Sequence, residues 1–189
     1  MADARPSRPI PATIGTLFGG LWALIAAFAL PPAWRLPAAA LAALITALLI
    51  IRLWRANQPA SGAPERLFGR KAYQIAVIAE VAAIYAASAL LPHLGWQGYF
   101  IQAVGIIVGL HFIGLWAATR SSRFLGIAAG MCVISAVATQ LPASIAQVNL
   151  RDIITGLGNA AILWIGASLA SRMPAHSFPA STNATMPID

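Results

Sequence analysis

Residues 72–91 read AYQIAVIAEVAAIYAASALL. As a helix, such a run rises about 30 Å, the thickness of a bilayer's hydrocarbon core. Glu80 is its single charge. Five further runs have the same character: residues 14–30, 37–54, 98–118, 124–141 and 152–170. The first two are shortish alone, but flanking apolar residues and Pro-defined ends bring them to spanning length. Composition agrees, with 59% hydrophobic residues, 9% charged residues and a mean hydropathy of +0.77. Soluble domains run at about a quarter charged, because a water-facing surface has to be made of something polar. A chain of 189 residues with so few charges has lipid as its main solvent. The expected fold is an all-α polytopic membrane bundle of six transmembrane helices.

Charge placement sets the expected orientation. Arg5 and Arg8 precede the first span, and Arg52, Arg55, Arg66, Arg70 and Lys71 fill the connection between the second and third. Arg120 and Arg123 flank the fourth connection, Arg172 follows the sixth span, and only Arg35 and Arg151 fall on the other side. The positive-inside rule places both termini and the two basic loops in the cytoplasm. Residues 1–13 then form a cytoplasmic N-terminal segment, 14–171 the transmembrane domain, and 172–189, rich in Pro, Ser and Thr, a disordered cytoplasmic tail. The Asn183-Ala184-Thr185 sequon has no meaning on that side. Eleven of the twelve basic residues are Arg and Ala is abundant, a composition that suggests a bacterial inner membrane. The formal net charge of +7 comes from these helix-end anchors rather than from a basic face, so no nucleic-acid partner is expected.

Residues 1–29 also have the outline of a signal peptide, ending at Ala27-Phe28-Ala29. Reading them as a span preserves a repeating pattern instead. Leu30-Pro31, Leu91-Pro92 and Leu141-Pro142 each end an odd-numbered span, each followed by a short turn, a second span and a basic residue. Three tandem helical hairpins are expected. Within them, small residues recur at four-residue spacing: Gly15 and Gly19, Gly105 and Gly109, Gly126 and Gly130, and the Ala79-Ala83-Ala87 row. No hydrophobic force drives helices together in lipid, so such stripes provide close packing; one of them offers a face for a homo-oligomer. Trp34, Trp54, Trp96 and Trp116 lie near span ends, where indoles favour the interface, whereas Trp22 and Trp164 are deeper and read as packing residues.

Few residues are left to carry chemistry. A charge as deep as Glu80 costs about 2.5–3.5 kcal/mol to insert, so it keeps a partner or a job. His111 is the only histidine deep within a span. Glu80 lies nine residues after Lys71 and His111 nine before Arg120, so both sit ~13 Å from the basic flank on consecutive antiparallel helices. Spacing alone leaves their rotation open. If they face each other, they form an acid–base pair able to pass a proton, hold a small polar solute, or clamp two helices. Tyr73, seven residues before Glu80, shares its helical face. Gln102 shares a face with Gly105 and Gly109, which leaves His111 on another. Asp152, Thr155 and Asn159 make a polar stripe on the sixth span, with Asn159 able to reach the bundle interior or bond a neighbouring helix. Glu80, His111, Tyr73, Gln102 and Asn159 are therefore the candidate substrate or proton site. Thr46, Ser88, Ser135 and Thr139 can satisfy themselves on their own helix backbones.

No HExxH, CxxC or GxxxxGK[ST] occurs, so no metal and no cofactor is expected. Cys132, the single cysteine, reads as a small buried hydrophobe. Three functions remain. One is a transporter or channel-like protein for a small-molecule solute or proton. Another is a non-catalytic scaffold or subunit of a larger complex. The third is an intramembrane enzyme acting on a lipid or isoprenoid. Transport calls for a water-accessible cavity at the pair, an enzyme for a cleft open to lipid, and a scaffold for a dry, tightly packed pair.

Overall fold

The computed structural model describes residues 10–56, 71–145 and 148–170. Among these the chain is all-helical apart from an isolated antiparallel bridge, Ile145–Val148, in the last connection. Six helices run back and forth: α1 (Ile10–Phe28), α2 (Pro32–Arg55), α3 (Lys71–His93), α4 (Phe100–Thr119), α5 (Arg123–Thr139) and α6 (Leu150–Ala170). A single 3-10 turn, Gln97–Tyr99, leads into α4. Five of the six are long and apolar enough to cross a membrane; α5, at 17 residues, is apolar but shorter. The fold is a six-helix membrane bundle.

The helix ends differ from the expected spans in instructive ways. α2 starts at Pro32 and takes Pro37 inside it. Proline is harmless in a first turn, where its missing N–H would have no helical partner, and Pro37 follows within a turn and a half. Pro92 likewise stays within α3, which ends one residue later. There Gly95 takes the left-handed conformation (φ 72°) and Trp96 N–H donates to the Leu91 carbonyl at 2.8 Å, closing the helix as glycine after a C-terminus does. Most of the expected N-terminal segment, the 57–70 loop with Arg66 and Arg70, and the C-terminal tail with Arg172 lie outside the described residues.

Consecutive helices pair as hairpins, α1–α2, α3–α4 and α5–α6, but the broadest interfaces join different hairpins: α1 with α6, and α4 with α5. The order in space is α2, α1, α6, α5, α4, α3, so the third hairpin sits between the first two. The bundle's centre is an apolar core of Trp22, Ala23, Ala42, Met131, Ala160 and Leu163. The first span is thus integral to the bundle, with Trp22, Ala23, Ala26 and Ala27 buried.

Glycines set the close approaches. A methyl group built on Gly156 of α6 would lie 2.7 Å from the Trp22 carbonyl and 2.9 Å from the Ala26 nitrogen, which are main-chain atoms of α1. The small-residue stripes are used unevenly. Gly19 abuts Trp164, Gly105 abuts Ser135 and Asn159, Gly109 abuts Cys132 and Gly130 abuts Ile162, whereas Gly15 and Gly126 face open space. Ala79 is exposed, with Ala83 and Ala87 partly covered. Trp22 is buried and Trp164 donates its indole N–H to the Thr16 carbonyl at 3.2 Å. Trp34, Trp54 and Trp96 are exposed near helix ends. Cys132 is partly buried, its Sγ 3.7 Å from the Ile106 carbonyl.

Candidate functional site

The five residues singled out from the sequence fall into two groups on opposite sides of α4. Glu80, His111 and Tyr73 meet on the seam between α3 and α4. Gln102 and Asn159 are fully buried where α4 meets α5 and α6.

On the α3–α4 seam, Nδ1 of His111 lies 3.2 Å from Oε2 of Glu80. The contact is at ion-pair distance but lacks the alignment of a directed hydrogen bond. Helical register produces it: Tyr73, Ala76, Glu80, Ala83 and Ala87 follow one face of α3, and the alanines let α4 come close. At Gly114, a methyl group would meet the Ala76 Cβ at 2.7 Å. The Tyr73 ring approaches the imidazole edge-on with centroids 6.5 Å apart, and the Phe112 ring does so at 5.9 Å. Phe112 in turn stacks on Phe124 of α5.

Beside the pair is a groove of about 300 Å³, lined by Ala76, Ala79, Glu80, Ala83 on α3 and Ile107, Leu110, His111, Gly114 on α4. The groove belongs to the edge of the bundle. No described residue of α3 is fully buried, and among the described residues the helix packs mainly on α4, with a smaller contact to the 3-10 turn. Glu80 and His111 retain 17% and 11% side-chain exposure, so they are sheltered rather than sealed. Chemically, the groove offers one carboxyl group and one imidazole in contact, within apolar walls. That arrangement can hold a proton in either of two places, or hold a small polar group between them. It has no hydroxyl or thiol nucleophile among its lining residues.

The second group is a network. Gln102 Nε2 donates to Oδ1 of Asp152 at 3.1 Å and to the Thr155 hydroxyl at 3.2 Å. Asn159 Nδ2 donates to the Ser135 hydroxyl at 3.4 Å. Ser135 therefore engages a neighbouring helix, where its own backbone was the expected partner; Thr46, Ser88 and Thr139 do bond to their own helices. Asn149 caps α6: its Oδ1 accepts the Asp152 backbone N–H at 3.3 Å while its Nδ2 donates to Oδ2 of Asp152 at 2.7 Å. This reciprocal pairing at positions Ncap and N3 has the logic of a capping box, and the Asn149-x-x-Asp152 spacing carries its sequence signal.

Asp152 and Asn149 also border a larger open cavity of about 620 Å³ at the Leu-Pro end. Leu21, Leu24, Ile25 and Phe28 of α1, Ile101 of α4 and Arg35 of α2 complete most of its wall. Sequence reading saw the polar stripe of α6 but not this cavity, because it depends on which helices α6 lies between. The two arginines near this end have local partners: Arg35 Nε donates to the Leu30 carbonyl at 2.9 Å, and Arg151 stacks over Tyr99 at 4.4 Å and donates to the Leu141 carbonyl. Among the described residues no cluster of three His, Cys, Asp or Glu side chains forms a metal centre. Comparisons of the chain with protein-family models, curated proteins and solved structures find no match.

Proposed function

We propose that the protein is a small membrane transport protein that exchanges a proton, or a small polar solute with it, at the Glu80–His111 pair. The observation that carries this reading is the 3.2 Å contact of the two side chains beside a groove within membrane-spanning helices. An acid and a base in contact at low dielectric have two arrangements, charged and neutral, with desolvation opposing the first and mutual attraction favouring it. Intramembrane ionisable pairs of this kind serve proton relays and substrate pathways. The attachment of α3 by one seam adds a means of movement: the helix can shift on α4 without disturbing the apolar core. Orientation by the positive-inside rule puts the pair nearer the cytoplasmic face.

A second reading rests on the position of the groove. It opens at the edge of the bundle between apolar walls, where a lipid or isoprenoid would enter sideways. The missing nucleophile in its lining makes binding of such an amphiphile a better fit than its chemical conversion. A purely structural clamp is the remaining alternative.

Flux separates these. Protein reconstituted in liposomes with a trapped pH indicator is expected to dissipate an imposed pH gradient, and Glu80→Gln is expected to lower the rate at least tenfold while the protein still folds. Equal rates for the variant and the original protein would refute transport through the pair. Gradient dissipation no faster than in empty liposomes would leave the groove to an amphiphile or to a clamp.

A further inference from the structure

The open cavity of about 620 Å³ at the Leu-Pro end changes polarity along its length. Its apolar wall is Leu21, Leu24, Ile25 and Phe28 of α1, joined by Ile101 of α4. The four α1 residues stand at i, i+3, i+4 and i+7, one face of the helix. From Leu21 to Phe28 they rise about 10 Å, most of the roughly 15 Å that one leaflet contributes to the hydrocarbon core. Charge enters the lining from two helix starts, with Arg35 in the first turn of α2 and Asp152 in the first turn of α6. Four helices thus supply the cavity, so it is more than the bare face of one.

Both charges keep capacity for a ligand. Among the described residues neither Arg35 nor Asp152 is in an ion pair. Arg35 is exposed and uses its Nε on the Leu30 carbonyl, which leaves the two Nη groups at the tip of its fork. Asp152 accepts Gln102 at Oδ1 and Asn149 at Oδ2. A carboxylate has about four lone-pair sites, so each oxygen can accept once more. These features select the occupant. A wholly apolar molecule would desolvate the charges, and a water-soluble ion would make no use of the apolar wall. An amphiphile with one cationic and one anionic group satisfies all three. Guanidinium forks onto phosphate, and an ammonium group brings three N–H donors to the carboxylate. A quaternary ammonium has no N–H to give and is recognised by aromatic cages, whereas Phe28 is the single aromatic residue among the described lining. A net anionic headgroup would set a second negative charge against Asp152.

We propose that this cavity binds a phosphatidylethanolamine molecule, with its phosphate on Arg35, its primary ammonium on Asp152 and an acyl chain along the α1 wall. The site is separate from the Glu80–His111 pair and does not depend on the transport reading. Its test is thermal unfolding of the purified full chain in detergent, titrated with phosphatidylethanolamine, phosphatidylcholine or phosphatidylglycerol of identical acyl chains. A ligand of the folded state raises the melting temperature, so a saturable rise of about 5 °C with phosphatidylethanolamine, and a smaller one with the other two, is expected. Arg35→Gln should remove most of that rise, and Asp152→Asn should lower it to the phosphatidylcholine value, while Glu80→Gln should keep it. Should Asp152→Asn fail to fold, the original protein carries the same test through the lipid: mono- and dimethylated ethanolamine headgroups should give stepwise smaller rises as N–H donors are replaced by methyl groups. Equal rises with the three lipids, or a preference for phosphatidylethanolamine that survives Arg35→Gln, would overturn the proposal and leave the cavity as ordinary contact with the surrounding bilayer.

Discussion

The α1–α6 and α3–α4 seams use the same materials and reach opposite results. Both bring glycine and alanine against a neighbouring helix, and both carry one aromatic–polar contact: Trp164 on the Thr16 carbonyl, Tyr73 against His111. Yet α1 and α6 carry the buried residues Trp22, Ala26, Ala27 and Ala160, whereas none of the described residues of α3 is buried. The difference lies in where each seam falls. α6 has neighbours on both sides, so its contacts are fixed from several directions. α3 is at the end of the row with α4 as its support, so each of its contacts can yield. A membrane bundle can place its rigid part and its adjustable part side by side with no change of composition.

The sharpest way to break that comparison is at Gly156. A methyl group there would press on the main chain of α1 at Trp22 and Ala26, and main chain in a central helix cannot step aside locally. Gly156→Ala is expected to lower stability by about 3 kcal/mol, the upper range for overpacking, read as a loss of melting temperature in detergent. A near-neutral result would mean that the α1–α6 seam is as compliant as the outer one.

Gly114→Ala is the matching change at the edge. Its methyl group would meet the Ala76 Cβ at 2.7 Å, as close as the nearest contact at Gly156, but the obstacle is a side chain on a helix free to move outward. About 1 kcal/mol or less is expected, partly offset by the better helix propensity of alanine. A loss equal to that of Gly156→Ala would show that α3 is held as firmly as the centre.

Much of this fold was legible in the sequence because the membrane imposes it. Span number follows from run length, and hairpin pairing from short turns. The equal heights of Glu80 and His111 follow from helical rise, but whether they face each other does not, because spacing leaves the rotation of each helix open. Spatial order was not legible: nothing local says that α6 inserts between α1 and α5. For that reason the grouping of Gln102 and Asn159 with Glu80 came from their polarity alone, and the structure places the two groups on different faces of α4. Ser135 was hidden for a related reason, since a hydroxyl on a helix can bond its own backbone or a neighbour, and only the neighbour's identity decides.

The same limit applies to the small-residue stripes. Gly15 and Gly19 look alike in the sequence, but only Gly19 meets another helix, with Trp164 Cδ1 2.6 Å from its built methyl position; Gly15 meets nothing within 4 Å. In the monomer, Gly15→Ala should therefore leave stability unchanged or raise it by up to about 1 kcal/mol, the propensity difference between the two residues. That small gain is informative because a stripe that is vacant within one chain is the surface a second copy would use. A measured loss, together with a shift to smaller mass in light scattering of the detergent-solubilised protein, would show Gly15 packed against another copy. The comparison would then extend from two seams to three, the third between molecules. A gain with unchanged mass confines close packing to the centre of the row, where the main chain of α1 already touches α6.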